Sequence, residues 1–267
     1  MTGLSPARHL VAITREPSPQ MERGERTFTD EMPIDGSLAS KQHQQYQEAL
    51  RRCGARVVGL PGCDDQPDCV FVEDTAIVLD ELAVMMSMGA LSRRGEVPTI
   101  ETALRQFRTV AHVELPGRID GGDVVLSDRD VFVGLSQRTN AAGVEALRTI
   151  LSPFGYTVTG IPVLRCLHLK SACSALPDGS FLVNANFISV SPLHGRELVS
   201  VPKSEPLAGD VLVIGEHIIV SDAFPETSAL LASRGWDVIP VSVSEFAKAE
   251  GGVTCMSLVF AEQNSGD

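Results

Sequence analysis

The segment Gly251-Gly252-Val253-Thr254-Cys255-Met256-Ser257 sets a cysteine behind two flexible residues and just ahead of an apolar run. A cysteine attacks carbon only as its thiolate, and a free thiol titrates near ~8.5 unless its surroundings tune it. A histidine partner is therefore required. The best candidate is His168, within the apolar run Val163–Leu169. A lone histidine in such a run is more often a hydrogen-bonded core residue than a catalyst. Cysteine, histidine and a carboxylate together make the general pattern of an activated thiol with an oriented base.

Carboxylates stand at two further places. In Asp68-Cys69-Val70-Phe71-Val72-Glu73-Asp74 three acids surround an apolar run. Alone they read as solvated loop charge. Gathered in a pocket they would hold an amine or a guanidinium, whose planar fork matches carboxylate oxygens. In Ile119-Asp120-Gly121-Gly122-Asp123 the two glycines are either a hairpin-type turn or a place where the backbone passes close to something. Ser92-Arg93-Arg94-Gly95-Glu96 and Ser136-Gln137-Arg138-Thr139-Asn140 carry arginines that are either surface charge or a clamp on a carboxylate. No Gly-x-Gly-x-x-Gly, phosphate-loop Gly-Lys-Ser/Thr or His-Glu-x-x-His supports nucleotide or zinc-peptidase chemistry.

The elements that must position these residues follow a repeat. Thr75–Asp80, Leu82–Met86, Pro98–Phe107 and Val110–Leu115 predict strand, strand, helix, strand, with Pro98 suited to a first helical turn. The order recurs in Asp123–Leu126, Asp130–Val133, a helix from an Asn140 cap to about Phe154 stopped by Gly155, and Thr157–Val163. It recurs again in Asp210–Ile214, His217–Val220, Pro225–Arg234 stopped by Gly235, and Asp237–Val241. Cys173–Val201 is a weaker copy: two strands around Pro177-Asp178-Gly179, an ambiguous centre and a strand, Glu197–Val201. The chain ends share a fifth, with strands His9–Thr14, Arg56–Leu60 and Met256–Phe260 and a helix Ser40–Cys53 stopped by Gly54.

A ring closed in this way leaves no terminal repeat uncapped. An ordinary α/β sheet with a few hairpins is the alternative. The expected architecture is an α/β ring of strand-strand-helix-strand units in a single domain over 1–267. Arg93 and Arg138 each follow the second strand of a repeat, so a ring aims both at its centre. Glu16–Leu38, rich in Pro, Gly, Ser and charge, reads as a long loop. Loops of that length in compact domains are often active-site lids. Ala261–Asp267 reads as a polar tail.

Composition narrows the chemistry. Twenty-two basic against 34 acidic side chains leave a formal charge of −12, which disfavours nucleic acid and anionic membrane as partners. That charge is compatible with a small cationic substrate. Aromatic residues at 5% argue against a base-stacking surface. No window approaches the ~20 apolar residues that cross a bilayer, and Met1–Leu10 lacks the pattern of a secretory signal. A cytoplasmic protein with free thiols is expected. The spacings Cys63-x5-Cys69 and Cys166-x6-Cys173 do not fit the short knuckles of structural zinc, and no metal is expected. Cys53, near a helix end, reads as a packing residue.

In order along the chain, FVED, SRRGE, DGGDV, FVGLSQRTNAAG, LHLKSACS and GGVTCMS resemble the dimethylarginine dimethylaminohydrolases of the guanidine-modifying (pentein) superfamily. The resemblance runs from about Arg56 to Phe260. It implies a five-bladed α/β propeller and a cysteine-dependent hydrolysis of Nω-methylated arginine to citrulline and a methylated amine. It implies Cys255 as nucleophile on the guanidinium carbon, and His168 as acid for the departing amine and then base for water. Asp120 would hold His168 or a substrate nitrogen, and Asp74 the guanidinium. Asp68 and Glu73 would help bind the substrate's polar groups, Asp68 near the α-amine. Arg93 and Arg138 would hold the α-carboxylate, and the Ala249 backbone would touch the amine. No metal or organic cofactor is implied, and the protomer would act as a monomer or homodimer.

Two regions depart from the family pattern. Relatives commonly carry Thr-Arg-Pro-Gly-Ala-Glu before the double arginine, where this chain has Ser87-Met88-Gly89-Ala90-Leu91. The lid region matches only loosely, best at Pro17-Ser18-Pro19. Both can line the mouth of a pocket, so the rival readings are arginine deiminase, an amidinotransferase or another guanidino hydrolase. A non-catalytic binding module is a further rival, against which the complete Cys/His/carboxylate set counts.

Overall fold

The structure is a computed structural model that describes residues 9–30 and 32–263. The expectations for the first eight residues and the last four of the tail lie outside those residues. Among the described residues, fifteen strands form five three-stranded sheets.

The first sheet joins the two ends of the chain. Strand β1 (Leu10–Arg15) pairs parallel with β2 (Ala55–Leu60) and antiparallel with β15 (Ser257–Ala261), with Ala12 opposite both Val57 and Val259. β1 is buried along its whole length because both of its faces are covered, which explains its unbroken apolar character. Ala261 ends β15 and is not part of a tail.

The other sheets repeat the arrangement. They are β3 (Ala76–Val78), β4 (Ala83–Met85) and β5 (Val110–His112); β6 (Val124–Ser127), β7 (Asp130–Leu135) and β8 (Thr157–Pro162); β9 (Cys173–Ala175), β10 (Phe181–Val183) and β11 (Leu198–Ser200); and β12 (Leu212–Ile214), β13 (His217–Ser221) and β14 (Asp237–Val241). Each first strand is antiparallel to the middle one, and each middle strand is parallel to the third. A parallel step needs a crossover. Helices α1 (Gly36–Arg52), α2 (Val97–Leu104), α3 (Ala141–Leu151) and α4 (Pro225–Ser233) supply four of them.

The ambiguous centre of the weak repeat has no α-helix. A single 3-10 turn, Ser191–Leu193, takes its place, and only Leu193 of it is buried. The segment carries Pro192 and Gly195 and too few apolar residues to cover a helical face. Helix α1 starts four residues earlier than expected, because the Asp35 side chain accepts a hydrogen bond from Leu38 N–H and caps it. The open part of the lid is therefore 16–35, with one 3-10 turn at Met21–Arg23.

Residues of β3, β6, β9, β12 and β15 together line a channel of about 270 Å³. Only a ring can bring all five first strands around one axis, so the fold is a five-bladed α/β propeller and not an open sheet. Apolar clusters fill the gaps between blades; Val84, Ile119, Val131 and Leu147 make one of them.

Candidate active site

The turn ahead of each first strand ends at the same end of the axis, and each carries a chemically useful side chain. Asp74 precedes β3, Asp120 precedes β6, His168 precedes β9, Asp210 precedes β12 and Cys255 precedes β15. Residues 48 positions apart along the chain become hydrogen-bonded neighbours in this way: His168 Nε2 lies 3.1 Å from Asp120 Oδ2.

His168 is buried between two carboxylates. Its other ring nitrogen, Nδ1, faces Asp74 Oδ1 at 3.8 Å. Burial alone would lower its pKa. The Asp74 charge, the Asp120 hydrogen bond and the nearby Asp123 outweigh burial and push it up to about 9. The imidazole is thus a cation at neutral pH, with a proton on each nitrogen. Asp74 moves the other way: His168 and Arg93 more than offset its burial and hold it below the usual carboxylate range.

The Gly121-Gly122 pair is a close approach, made in a 3-10 turn. A Cβ at Gly122 would sit 2.7 Å from both His168 Nδ1 and Asp74 Oδ1, while Gly122 N–H donates to Asp74 Oδ1 at 3.0 Å. Asp120 is fully buried, and its Oδ1 accepts from Gly89 N–H at 2.7 Å. The divergent segment 87–91 therefore orients the carboxylate that orients the histidine.

Cys255 is partly exposed. Its Sγ accepts a hydrogen bond from Gly252 N–H at 3.3 Å. Burial, then the charges of Asp210, Glu73 and Asp74, push the thiol well above its ordinary range. In the free protein the group is a thiol, and a cation placed against it would reverse that balance. The loop that presents it is anchored by Tyr46 of α1, whose hydroxyl donates to Val253 O at 2.8 Å and lies 2.7 Å from Ser257 Oγ. A Cβ at Gly252 would run into the Asp210 carboxylate, so the second glycine pair also marks a close approach.

The remaining expected residues divide between two cavities that meet at Cys255 and His168. A narrow one, about 20 Å³, is lined by Asp68, Asp74, Arg93, Arg138 and Ala249. Arg138 Nη1 is 3.8 Å from Asp120 Oδ2. Arg93 is buried and turned inward: it donates to Asp74 Oδ2 at 2.6 Å, to both oxygens of Glu96, and to the carbonyls of Asp68 and Phe71. Asp68 Oδ2 accepts from the lid at Glu25 N–H. Glu73 lies lower, toward the channel, where it accepts from Lys170 at 2.5 Å and from Thr254 Oγ1 at 2.7 Å. The wide cavity, about 210 Å³, opens on the other side of the thiol.

Several functional neighbours have no role assigned to them by the sequence. Asp123 binds Leu169 N–H, Ser136 Oγ and Thr139 Oγ1, fixing the turn beside His168. Asp210 accepts from Thr254 N–H at 3.3 Å, and burial and the Glu73 charge push it up to about 7. The repeat could have found it, since DVLVI places Asp210 where DVVL places Asp123. Glu250, at φ +61°, accepts from the backbone N–H groups of Thr27, Phe28 and Thr29 and so latches the lid. Nothing in the sequence signalled that contact.

Asp74, Asp120 and His168 also form the one cluster among the described residues whose ligand atoms could surround a metal. The protonated imidazole already supplies a positive charge between those carboxylates. Arg93 and Gly89 satisfy the oxygens turned away from His168, and Gly122 N–H shares Asp74 Oδ1 with it.

The raised pKa values have a consequence for stability. A folded pKa above the unfolded one stabilises the native state below the unfolded pKa and ceases to do so as pH rises through the folded one. His168 covers the window from ~6.5 to about 9, and Asp123 and Asp210, raised to about 6 and about 7, act with the same sign at lower pH. Native stability is therefore expected to fall between pH 6.5 and 9, by on the order of 3 kcal/mol from His168. Urea midpoints at the two pH values measure this, and an equal or higher midpoint at pH 9 would contradict it.

The family described as "N,N dimethylarginine dimethylhydrolase, eukaryotic" matches residues 18–170. The N(G),N(G)-dimethylarginine dimethylaminohydrolase of Streptomyces coelicolor is 39% identical over 252 residues, covering 94% of this chain and 97% of that relative. Among solved structures, the Pseudomonas aeruginosa dimethylarginine dimethylaminohydrolase, as a serine-for-cysteine mutant complexed with citrulline, has a TM-score of 0.89 at 31% identity, covering 95% of this chain and 99% of that one. A glycine-for-histidine dimethylarginine dimethylaminohydrolase, as its adduct with S-methyl-L-thiocitrulline, has a TM-score of 0.88 at 31% identity, with the same coverage. The chain belongs to the dimethylarginine dimethylaminohydrolase family, hydrolases acting on the C–N bond of a guanidino group.

Proposed function

We propose that the protein hydrolyses Nω-methylated arginine, asymmetric dimethylarginine or monomethylarginine, to citrulline and the methylated amine through a thiouronium intermediate on Cys255. The observation that carries this reading is His168, held by Asp120 and facing Asp74, lining with Cys255 one cavity rich in acids. The guanidinium would lie against Asp74, with the α-amine toward Asp68 and the Ala249 carbonyl and the α-carboxylate toward Arg138. Arg93 faces the same cavity while it braces Asp74. Glu73, paired with Lys170, closes the floor.

The bound cation offsets the negative surroundings of Cys255, whose proton passes to solvent. Sγ attacks the guanidinium carbon to form a C–S bond. His168 gives its proton to the substituted nitrogen, the C–N bond breaks and the amine leaves. His168, now neutral, takes a proton from water, whose oxygen attacks the same carbon. The C–S bond breaks, the added oxygen gives up its remaining proton, and citrulline is released as the thiolate takes a proton back. Asp120 and Asp74 favour the imidazolium that starts and ends the cycle.

The test is a panel of arginine, monomethylarginine and asymmetric dimethylarginine with citrulline as the readout. Turnover of the methylated substrates with little from arginine is expected. Citrulline from none of them defeats the proposal, and preference for unmodified arginine makes the protein a deiminase.

A further inference from the structure

We propose that Cys63 and Cys69 are a peroxide-oxidisable thiol pair whose disulfide unseats the lid and weakens substrate binding. Only the weakened binding rests on the function proposed above. The loop between the two cysteines is the seat of the lid. Cys63 O accepts from Ser18 Oγ at 2.7 Å, and Asp68 Oδ2 accepts from Glu25 N–H at 3.0 Å. Gly24 packs so closely on this loop that a Cβ there would lie 2.2 Å from Asp68 Oδ1. The cysteines close the loop: Cys63 N–H donates to Cys69 Sγ at 3.4 Å, so one sulfur lies against the backbone of the residue that carries the other.

Arg15 activates the pair. It is only 3% exposed, and it donates from Nη1 to Cys63 Sγ at 2.6 Å and from Nη2 to Thr99 Oγ1. Its buried Nε has no partner, and among the described residues it donates to no carboxylate. Of the two groups it does reach, only Cys63 can ionise, so a Cys63 thiolate is the counter-charge this buried cation lacks. Cys63 is also partly exposed, whereas Cys53, Cys166 and Cys173 are buried, and burial pushes them up to about 11, about 12 and about 12. Burial first, and then the Cys63 charge, push Cys69 up to about 11 against the pull of the Cys63 N–H and Arg15.

The Cys63 thiolate attacks one oxygen of hydrogen peroxide. The O–O bond breaks, the sulfur is oxidised to a sulfenic acid, and the departing hydroxide takes up the proton released by the thiol as water. Oxidation removes the Cys63 charge, while Arg15 still acts on Cys69. Cys69 Sγ then attacks the Cys63 sulfur. An S–S bond forms, the S–O bond breaks, and a second water leaves with the Cys69 proton. To bridge, Cys69 Sγ must leave the Cys63 N–H and Cys63 Sγ must leave Arg15, and the loop that holds Ser18 and Glu25 moves with them.

The native protein, Cys63→Ser and Cys69→Ala are treated with hydrogen peroxide near neutral pH, alkylated and mapped by mass spectrometry. No Lys or Arg interrupts residues 57–92, so both cysteines fall in one tryptic peptide. An internal bridge in that peptide, removed by dithiothreitol, is expected in the native protein alone. Brief trypsin treatment of the folded, oxidised protein should cut after the exposed Arg23 of the lid at least about fivefold faster than before oxidation, with no change in either variant. In the Cys255→Ser background, where the nucleophile cannot be oxidised, bridging should weaken binding of asymmetric dimethylarginine at least about tenfold, because Asp68 moves. Cysteines 63 and 69 that both remain open to alkylation overturn the proposal, as does a bridge that leaves the Arg23 cut or the affinity unchanged. No binding of asymmetric dimethylarginine before oxidation would instead defeat the underlying function, and the bridge and the lid cut would still decide this proposal.

Discussion

Cys255→Ser is expected to lower citrulline formation by at least about 10⁴-fold while shifting the melting temperature by less than about 2 °C. The reason is electrostatic. The site raises even the thiol of Cys255 well above its ordinary range, through burial and the charges of Asp210, Glu73 and Asp74. A substrate cation can pull a thiol back into its working range. A serine hydroxyl, ionising several units higher in water, stays neutral in the same surroundings, so the nucleophile is lost. Packing barely changes, because the side chain is partly exposed and serine keeps the acceptor for Gly252 N–H. Substrate affinity should survive, since Asp68, Asp74 and Arg138 remain. Calorimetric binding of asymmetric dimethylarginine to the variant checks this. Retained turnover would remove Cys255 from the mechanism.

His168→Gln is the second large effect, and its pattern is more specific than its size. Loss of a general acid–base group costs typically 10²–10⁴-fold, and here one residue serves both half-reactions, so the upper part of that range is expected with methylated arginine. An amine cannot depart as its anion, so the first step stalls for want of a proton. A substrate that expels a thiolate, such as S-methyl-thiocitrulline, needs no proton to leave. With it the variant should form the covalent adduct and then stop, because water lacks its base. Mass spectrometry of the intact variant reads this directly: an adduct confined to S-methyl-thiocitrulline supports the two-role assignment. Full turnover of both substrates would refute it. The pH profile offers an independent check, since the native enzyme should lose kcat/KM as pH rises past about 9, where His168 gives up its proton.

Much of this arrangement was legible beforehand for identifiable reasons. The first strands are short, apolar and each introduced by a polar turn, so the repeat shows in the one-dimensional pattern of DVVL, DVLVI and MSLVF. The division of one blade between the two ends was visible because a lone strand, Met256–Phe260, otherwise lacks neighbours. The first glycine pair reads from sequence as either a turn or a close approach and the second only as flexible; both face titratable groups, His168 with Asp74 and Asp210. Asp35 was missed as the cap of α1 because proline-rich sequence on its N-terminal side masked the start of the helix.

Residue types, their order and the repeat were determined by the sequence alone: an apolar-polar period needs no partner to be seen, and it specifies which segments become strands. The chemistry of those residues was decided only by the closed ring. Glu73 and Thr254 are 181 positions apart and share a hydrogen bond, and Glu250 holds a lid more than 200 positions away. The inward turn of Arg93 depends on Glu96 and Asp74 being buried with it. The protonated state of His168, the neutral thiol of Cys255 and the division of the site into a narrow polar cavity and a wide apolar one all depend on burial and on charges brought in from other blades. Electrostatic energy depends on distance in space and on exclusion of water, and neither quantity is set by position along the chain until the fifth blade closes the ring.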